Sequence, residues 1–245
     1  MRSVLVAAIA LAVANTFGVA HAADMPTKAS TPAVFPQWSG FYVGGAIGGG
    51  WSDASWRNLN NSTLFGDALP GDSFSHRMNG VLVGLQLGVN RQFGPWVLGL
   101  EAQLGAGDIS GNHASTFGAA DDQFSTRIDA LFLGTGRIGY AVDRWLGYVK
   151  GGYALARVKA SVGDAVGQST GSGKAASWRS GPVVGAGIEY ALSPNVSAGI
   201  EYDYIRLGSA QYQLGGSAGS YLWQVDVSDV QLVMARLNFQ IPLAQ

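Results

Sequence analysis

The chain contains no cysteine. That excludes a disulfide scaffold, thiolate metal centres and a cysteine nucleophile, so stability has to come from packing and backbone pairing. Charge is scarce, with 13% Asp, Glu, Lys and Arg, and neither sign dominates: 15 basic residues stand against 16 acidic ones. With no basic surplus to neutralise a phosphate backbone, nucleic acid is not an expected partner. Long apolar runs are also missing. After residue 22 none approaches the ~20 residues that a membrane-spanning helix needs, so a membrane protein of this sequence has to cross with strands.

The N-terminus has its own pattern. Arg2 precedes the apolar run from Val4 to Ala14, and Ala20-His21-Ala22 supplies the small-x-small triplet that precedes signal-peptidase cleavage. Residues 1–22 are therefore expected to be a cleaved signal peptide. Residues 23–36, with three prolines, read as a flexible N-terminal segment, and residues 37–245 read as one domain.

What is abundant is glycine, 36 residues, together with 7 Trp, 9 Tyr and 10 Phe. This mixture is poor for helices and good for pleated sheet. From Trp38 onward, apolar residues alternate with small or polar ones in eight segments, near 38–51, 77–92, 96–105, 124–140, 145–158, 177–191, 196–208 and 224–239. In the second, Val81, Val83, Leu85, Leu87 and Val89 share one face, and Gly80, Gly84, Gln86, Gly88 and Asn90 share the other.

The connections are unequal. Phe93-Gly94-Pro95, Ala141 to Arg144 and Leu192 to Asn195 are tight, whereas those near 52–76, 106–123, 159–176 and 209–223 are long and polar. Short turns at one end and long loops at the other define the expected fold: all-β, a closed antiparallel eight-stranded transmembrane β-barrel in the outer membrane of a Gram-negative bacterium. A soluble β-sandwich shares the alternation but has no reason to sort its loops.

Aromatic residues fall at strand ends. Trp96, Tyr140, Trp145, Tyr190 and Phe239 lie by the short turns or the C-terminus. Trp51, Phe124, Trp178, Tyr204 and Trp223 lie near the opposite ends. These are the expected interfacial girdles. Read with constant parity, the inward charges are Glu101, Asp129, Glu189, Glu201 and Asp203 against Arg127, Arg137, Lys150, Arg179 and Arg236. A charge held away from bulk water has to be paired, so ion pairs are expected in the lumen, which in an eight-stranded barrel is narrow enough for side chains to fill.

Trp38 to Gly45, Gly136 to Val149, Val184 to Leu192 and Glu201 to Tyr204 together resemble the alphaproteobacterial outer-membrane β-barrel porin family, which includes the 25- and 31-kilodalton surface antigens of Brucella and its relatives. The resemblance covers essentially the whole mature chain. It implies an OmpA-like eight-stranded surface protein, inserted by the barrel-assembly machinery and in contact with outer-membrane lipids and lipopolysaccharide. It also implies loops available to host or phage surfaces, and no peptidoglycan-binding domain is expected after the barrel. One departure is the tail Gln240 to Gln245, which follows Phe239 where such barrels end on an aromatic residue.

Other motifs carry less. Gly134-Thr135-Gly136-Arg137-Ile138-Gly139 matches a nucleotide fingerprint in letters only, because a tight turn and a strand follow it rather than a helix. His76 and His113 read as solvated loop residues, with haemin ligation, a property of some relatives, as the alternative and Asp108, Asp121 and Asp122 as nearby acids. A Ser-His-acid lipid hydrolase lacks an elbow motif. The expectation is a structural, non-enzymatic barrel without a cofactor, passing at most small solutes slowly.

Overall fold

A computed structural model describes residues 38–60, 70–114, 122–164, 173–216 and 219–241. The expected signal peptide and leader lie outside these residues, as do the loop tips at 61–69, 115–121, 165–172 and 217–218 and the end of the C-terminal tail.

Among the described residues every regular element is a strand: β1 (Gly40–Asn58), β2 (Ser73–Phe93), β3 (Trp96–Ala114), β4 (Asp122–Val142), β5 (Trp145–Asp164), β6 (Gly173–Ser193), β7 (Val196–Ile205), β8 (Ala210–Gly216) and β9 (Gly219–Ile241). Each pairs antiparallel with its neighbour, and β9 pairs with β1 from Phe41↔Ile241 to Asn58↔Trp223, which closes the sheet. β8 is not an additional stave. Both β7 and β8 pair with β9, through Ile205↔Val230 and Ala210↔Val225, and four residues separate the paired positions on either side. Together β7 and β8 form one interrupted strand, so the ring has eight staves.

Tight turns carry the local chemistry they require. Gly94 sits at φ 58° and Asp143 at φ 52°, left-handed conformations open to glycine and tolerated by Asp. At the other end the strands run further than the sequence pattern suggests: β1 continues to Asn58, β2 begins at Ser73, β3 reaches Ala114 and β5 reaches Asp164. A membrane crossing takes about 9–11 tilted residues. Strands of 19–23 residues therefore project beyond a bilayer.

The reason lies in a change of phase. Near the short turns, β2 points Val81, Val83, Leu85, Leu87 and Val89 outward, and Gln86 and Asn90 are buried in the lumen. Beyond Gly80 the assignment inverts: Phe74, His76 and Met78 face in, and Ser75, Arg77 and Asn79 face out. The first half is built for lipid outside and polar residues inside, the second for water outside and an apolar core inside. The polar outer face of the second half reads as loop when the apolar phase is assumed constant.

Outside the first half, the apolar band is continuous around the ring. Leu85 is 67% exposed, Leu100 66% and Val184 58%, with Val149, Ile200 and Leu237 also exposed. Solvent-exposed apolar surface of this extent is foreign to a soluble protein and excludes the sandwich.

Candidate functional site: a lumen filled in three layers

At the short-turn end, Trp38 is buried with Val97, Leu146, Tyr148 and Ala191 and closes the inner mouth. Its backbone N donates to Gln92 Oε1 at 2.9 Å, and Gln92 N donates to Ser39 Oγ at 2.9 Å, which ties the start of the chain to β2.

The middle layer is ionic. Arg236 on β9 reaches between two carboxylates, bonding Glu101 through Nη2 and Glu201 through Nη1. Lys150 donates to Glu201 Oε1 at 2.8 Å and lies 3.0 Å from Asp203 Oδ1. Arg137 donates to Glu189 Oε1 at 2.9 Å and to Asn90 Oδ1 at 3.0 Å. Glu189 accepts further bonds from Ser197 Oγ at 3.0 Å and Asn238 Nδ2 at 3.1 Å. All seven charged side chains are buried. Ion pairing links the members into one network although Glu101 Oε1, both Asp203 oxygens and Arg236 Nε make no hydrogen bond, and losing one member strands another.

Two tyrosines frame the layer. Tyr42 donates to Glu101 at 2.6 Å and Tyr148 to Glu201 at 2.7 Å, and the Arg137 guanidinium sits 4.6 Å and 5.0 Å from their ring centroids. Their direct cross-strand partners are Gly88 and Gly187. A Cβ at Gly88 would lie 2.3 Å from the Tyr42 ring, and one at Gly187 2.5 Å from that of Tyr148. Glycine is required there because each ring lies flat over it, a contact that strand alternation does not reveal.

The outer layer is aromatic and aliphatic. Trp56 packs with Phe74, Phe124 and Trp223 at centroid distances of 5.8, 5.4 and 5.9 Å, and its Nε1 donates to Thr126 Oγ1 at 2.9 Å. Met78, Ile109, Val158, Ile205 and Leu232 complete this core.

Of the residues expected in the lumen, Glu101, Arg137, Lys150, Glu189, Glu201, Asp203 and Arg236 converge in the ionic layer. Asp129 does not. The β4 register shifts between Ile128 and Ala130, so Asp129 is an extra residue in the strand and parity reverses beyond it. Asp129 instead bonds the outward Arg157 at 2.7 and 2.8 Å and Lys159 at 2.6 Å. The same bulge turns Arg127 outward, to Asp108 at 2.5 Å. Arg179 is inward and buried but lies apart from the acids, its guanidinium 5.2 Å from the Tyr212 ring centroid.

The inner girdle residues Trp96, Tyr140, Trp145 and Phe239 are exposed at the short-turn rim, and Tyr190 is partly so; Trp96 packs on Tyr140 at 5.1 Å and Trp145 on Tyr190 at 4.6 Å. Trp51 and Trp178 face outward at the upper edge of the apolar band, and Tyr204 bonds Asp229 at 2.5 Å. Phe124 and Trp223 belong to the inner plug instead, being 5% and 2% exposed.

His76 and His113 are not loop residues. They stand on β2 and β3, stacked with Phe74, with ring centroids 6.5 Å apart and planes 14° from parallel. Imidazole lone pairs lie in the ring plane, so two stacked rings do not converge on one ion. Among the described residues, no group of three His, Cys, Asp or Glu is placed to hold a metal.

A closed antiparallel ring with a lipid-facing apolar band, aromatic rims and a charged lumen defines an integral outer-membrane β-barrel. The chain belongs to the family described as the outer membrane protein beta-barrel domain, matched over residues 9–232. It is 30% identical over 223 residues to the 31 kDa outer-membrane immunogenic protein of Brucella melitensis, covering 85% of this chain and 88% of the relative. It is 28% identical over 195 residues to a 22 kDa outer membrane protein of Rhizobium leguminosarum bv. viciae, covering 80% and 75% respectively. The barrel superposes on the outer membrane protein OprG from Pseudomonas aeruginosa with a TM-score of 0.51 at 14% identity, covering 84% of this chain and 97% of that one.

Proposed function

We propose that the chain is a closed structural barrel of the outer membrane, a non-enzymatic surface protein whose extended outer half carries the loops and whose lumen conducts poorly if at all. The observation that supports this most is Arg236, buried on the axis between Glu101 and Glu201, with Trp38 below it and the Trp56 cluster above. An ion crossing the barrel would have to displace each layer in turn, and the middle one cannot open without leaving charges unpaired. The short turns then face the periplasm and the long connections the exterior, where they meet lipopolysaccharide and host or phage surfaces. Export through the signal peptide at residues 1–22 and insertion by the barrel-assembly machinery complete this reading.

The test is membrane fractionation, gel mobility with and without boiling, and planar-bilayer recording of the purified chain. The expected result is an outer-membrane protein whose mobility shifts on boiling and which shows no stable open channel. A steady ohmic conductance from the folded form refutes the closed-lumen reading.

A further inference from the structure

Backbone pairing closes the ring at the short-turn end but not along its whole height. β6 pairs with β7 as far as Val183↔Ile205, and one further bond, from Arg206 N to Pro182 O at 3.1 Å, ends the ladder. The N–H and C=O of a strand residue point to the same side, so Pro182, which accepts that bond, has no N–H to return. Above it, Gly173 to Gly181 stay paired with β5 on one side, and β8 pairs with β9 from Ala210↔Val225 to Gly216↔Gly219. Among the described residues no backbone pairing joins β6 to β8. The wall there is a seam held by side chains: Ser177 Oγ lies 2.6 Å from the Tyr212 hydroxyl, and Arg179 Nη1 donates to Gly208 O at 3.3 Å.

Just inside the seam stands a cation without a counter-ion. Arg179 is 4% exposed, its cross-strand partner is Ala156, and none of the ion pairs among the described residues includes it. Gly208 takes its Nη1 and the Tyr212 ring lies against the guanidinium, whereas Nε and Nη2 are buried and bond nothing. Those two atoms form the edge of the guanidinium whose N–H bonds run parallel, the fork that grips both oxygens of a carboxylate. A charge buried in this state is costly, and Val158, Val183 and Leu207, buried on the same part of the wall, have no polar side-chain atom to offset it. One fork and one positive charge match one monoanion; a phosphate dianion would bring a second charge with no cation to meet it.

We propose that Arg179, with Ser177 and Tyr212, forms a binding site for a small monocarboxylate with an apolar body, entered by parting the seam between β6 and β8. The carboxylate takes Nε and Nη2, and the body lies among Val158, Val183 and Leu207. Trp178, next to Arg179 and facing outward at the upper edge of the apolar band, sets the height of the seam at the membrane surface, where acids of this kind collect. The site is separate from the ionic layer and does not depend on whether the lumen conducts.

The probe is para-fluorobenzoate, titrated into the full chain folded in detergent micelles and followed by fluorine NMR against empty micelles, with para-fluorobenzamide as the uncharged comparison. The wild type is expected to bind the acid about tenfold more tightly than the amide, and Arg179→Gln to lose about tenfold in affinity for the acid, as expected when charge-assisted hydrogen bonds are removed. Arg77→Gln, on the outer face of β2, should bind as the wild type does. No binding above that of empty micelles overturns the proposal, as does equal binding of acid and amide, or an Arg179→Gln variant that matches the wild type. Ser177→Cys gives the chain one thiol, since it has none of its own. A water-soluble maleimide should modify that thiol in the folded barrel, and saturating para-fluorobenzoate should slow the reaction severalfold. A thiol that never reacts means that the seam stays shut, and a rate indifferent to the acid puts the ligand elsewhere; either result refutes the site. The boiling-dependent mobility shift verifies the fold of each variant, and the comparison of acid with amide on the wild type needs no variant at all.

Discussion

Tyr42 over Gly88 and Tyr148 over Gly187 repeat one device on two sides of the lumen: a ring laid across a glycine on the next strand, its hydroxyl aimed at a glutamate. Gly187→Ala inserts a methyl group against the Tyr148 ring, which must lift away from Glu201. Overpacking of this kind costs about 1–3 kcal/mol, to be seen as a lower urea midpoint for loss of the compact, boiling-sensitive band. A larger effect belongs to Arg236. Arg236→Met leaves Glu101 and Glu201 facing each other without the guanidinium between them, and should cost roughly 3–5 kcal/mol, as expected when one partner of a buried ion pair is removed. If the two variants unfold together, the ionic layer has no special role in stability. The charged lumen residues are legible in the sequence because alternation assigns them a face, and seven of the ten expected inward charges meet. Asp129 and Arg127 are exceptions for a physical reason: one inserted residue reverses the parity of everything beyond it, and nothing in the letters around Ile128 marks the insertion; Arg179 faces in as expected but stands beside Tyr212, apart from the acids.

At the level of the strand, legibility depends on solvent. The lower half of β2 is plain in the sequence because one face meets lipid and the apolar residues fall on alternate positions. The upper half has the same alternation with the faces exchanged, and so reads as a polar loop containing His76. The inversion predicts a depth-dependent response to charge. Leu85→Arg, in the middle of the apolar band, should destabilise by roughly 2–4 kcal/mol. Ser75→Arg, on the outward face of the extension, should be nearly neutral in the same urea titration. Equal penalties at the two positions would place both in one environment. The extension also carries a pH response. Burial holds the His76 ring below its ordinary value of 6.5, reinforced by His113 and partly opposed by Asp53. The neutral ring is therefore favoured in the folded state, so its contribution is complete above 6.5 and is lost as pH falls through the lowered value. Acidification below that point should loosen the plug, with the change visible in the fluorescence of Trp56 and Trp223, and His76→Phe should remove the response.

In the closed-barrel reading proposed above, the whole molecule resists conduction because its layers differ in kind. On that reading the hydrophobic cluster at Trp38 would exclude ions by dehydration, the Arg236 layer by the cost of unpairing charge, and the Trp56 cluster by bulk. Such barriers act in series, so the lowest total resistance is set by the layers that remain, not by the one removed. Arg137→Ala/Glu189→Ala, which deletes an acid and a base together and leaves no orphaned charge between them, should therefore stay closed in a planar bilayer even though it thins the ionic layer. Adding Trp38→Ala, Trp56→Ala and Trp223→Ala to it truncates all three layers and should produce measurable current in the fraction that keeps its boiling-dependent mobility. Current from the double variant alone would mean that the ionic layer is the sole barrier and that the aromatic layers leave an open path around them. A folded, fully truncated variant that remains silent would mean that the backbone and the remaining side chains already close the eight-stranded ring, and that the charges serve stability alone.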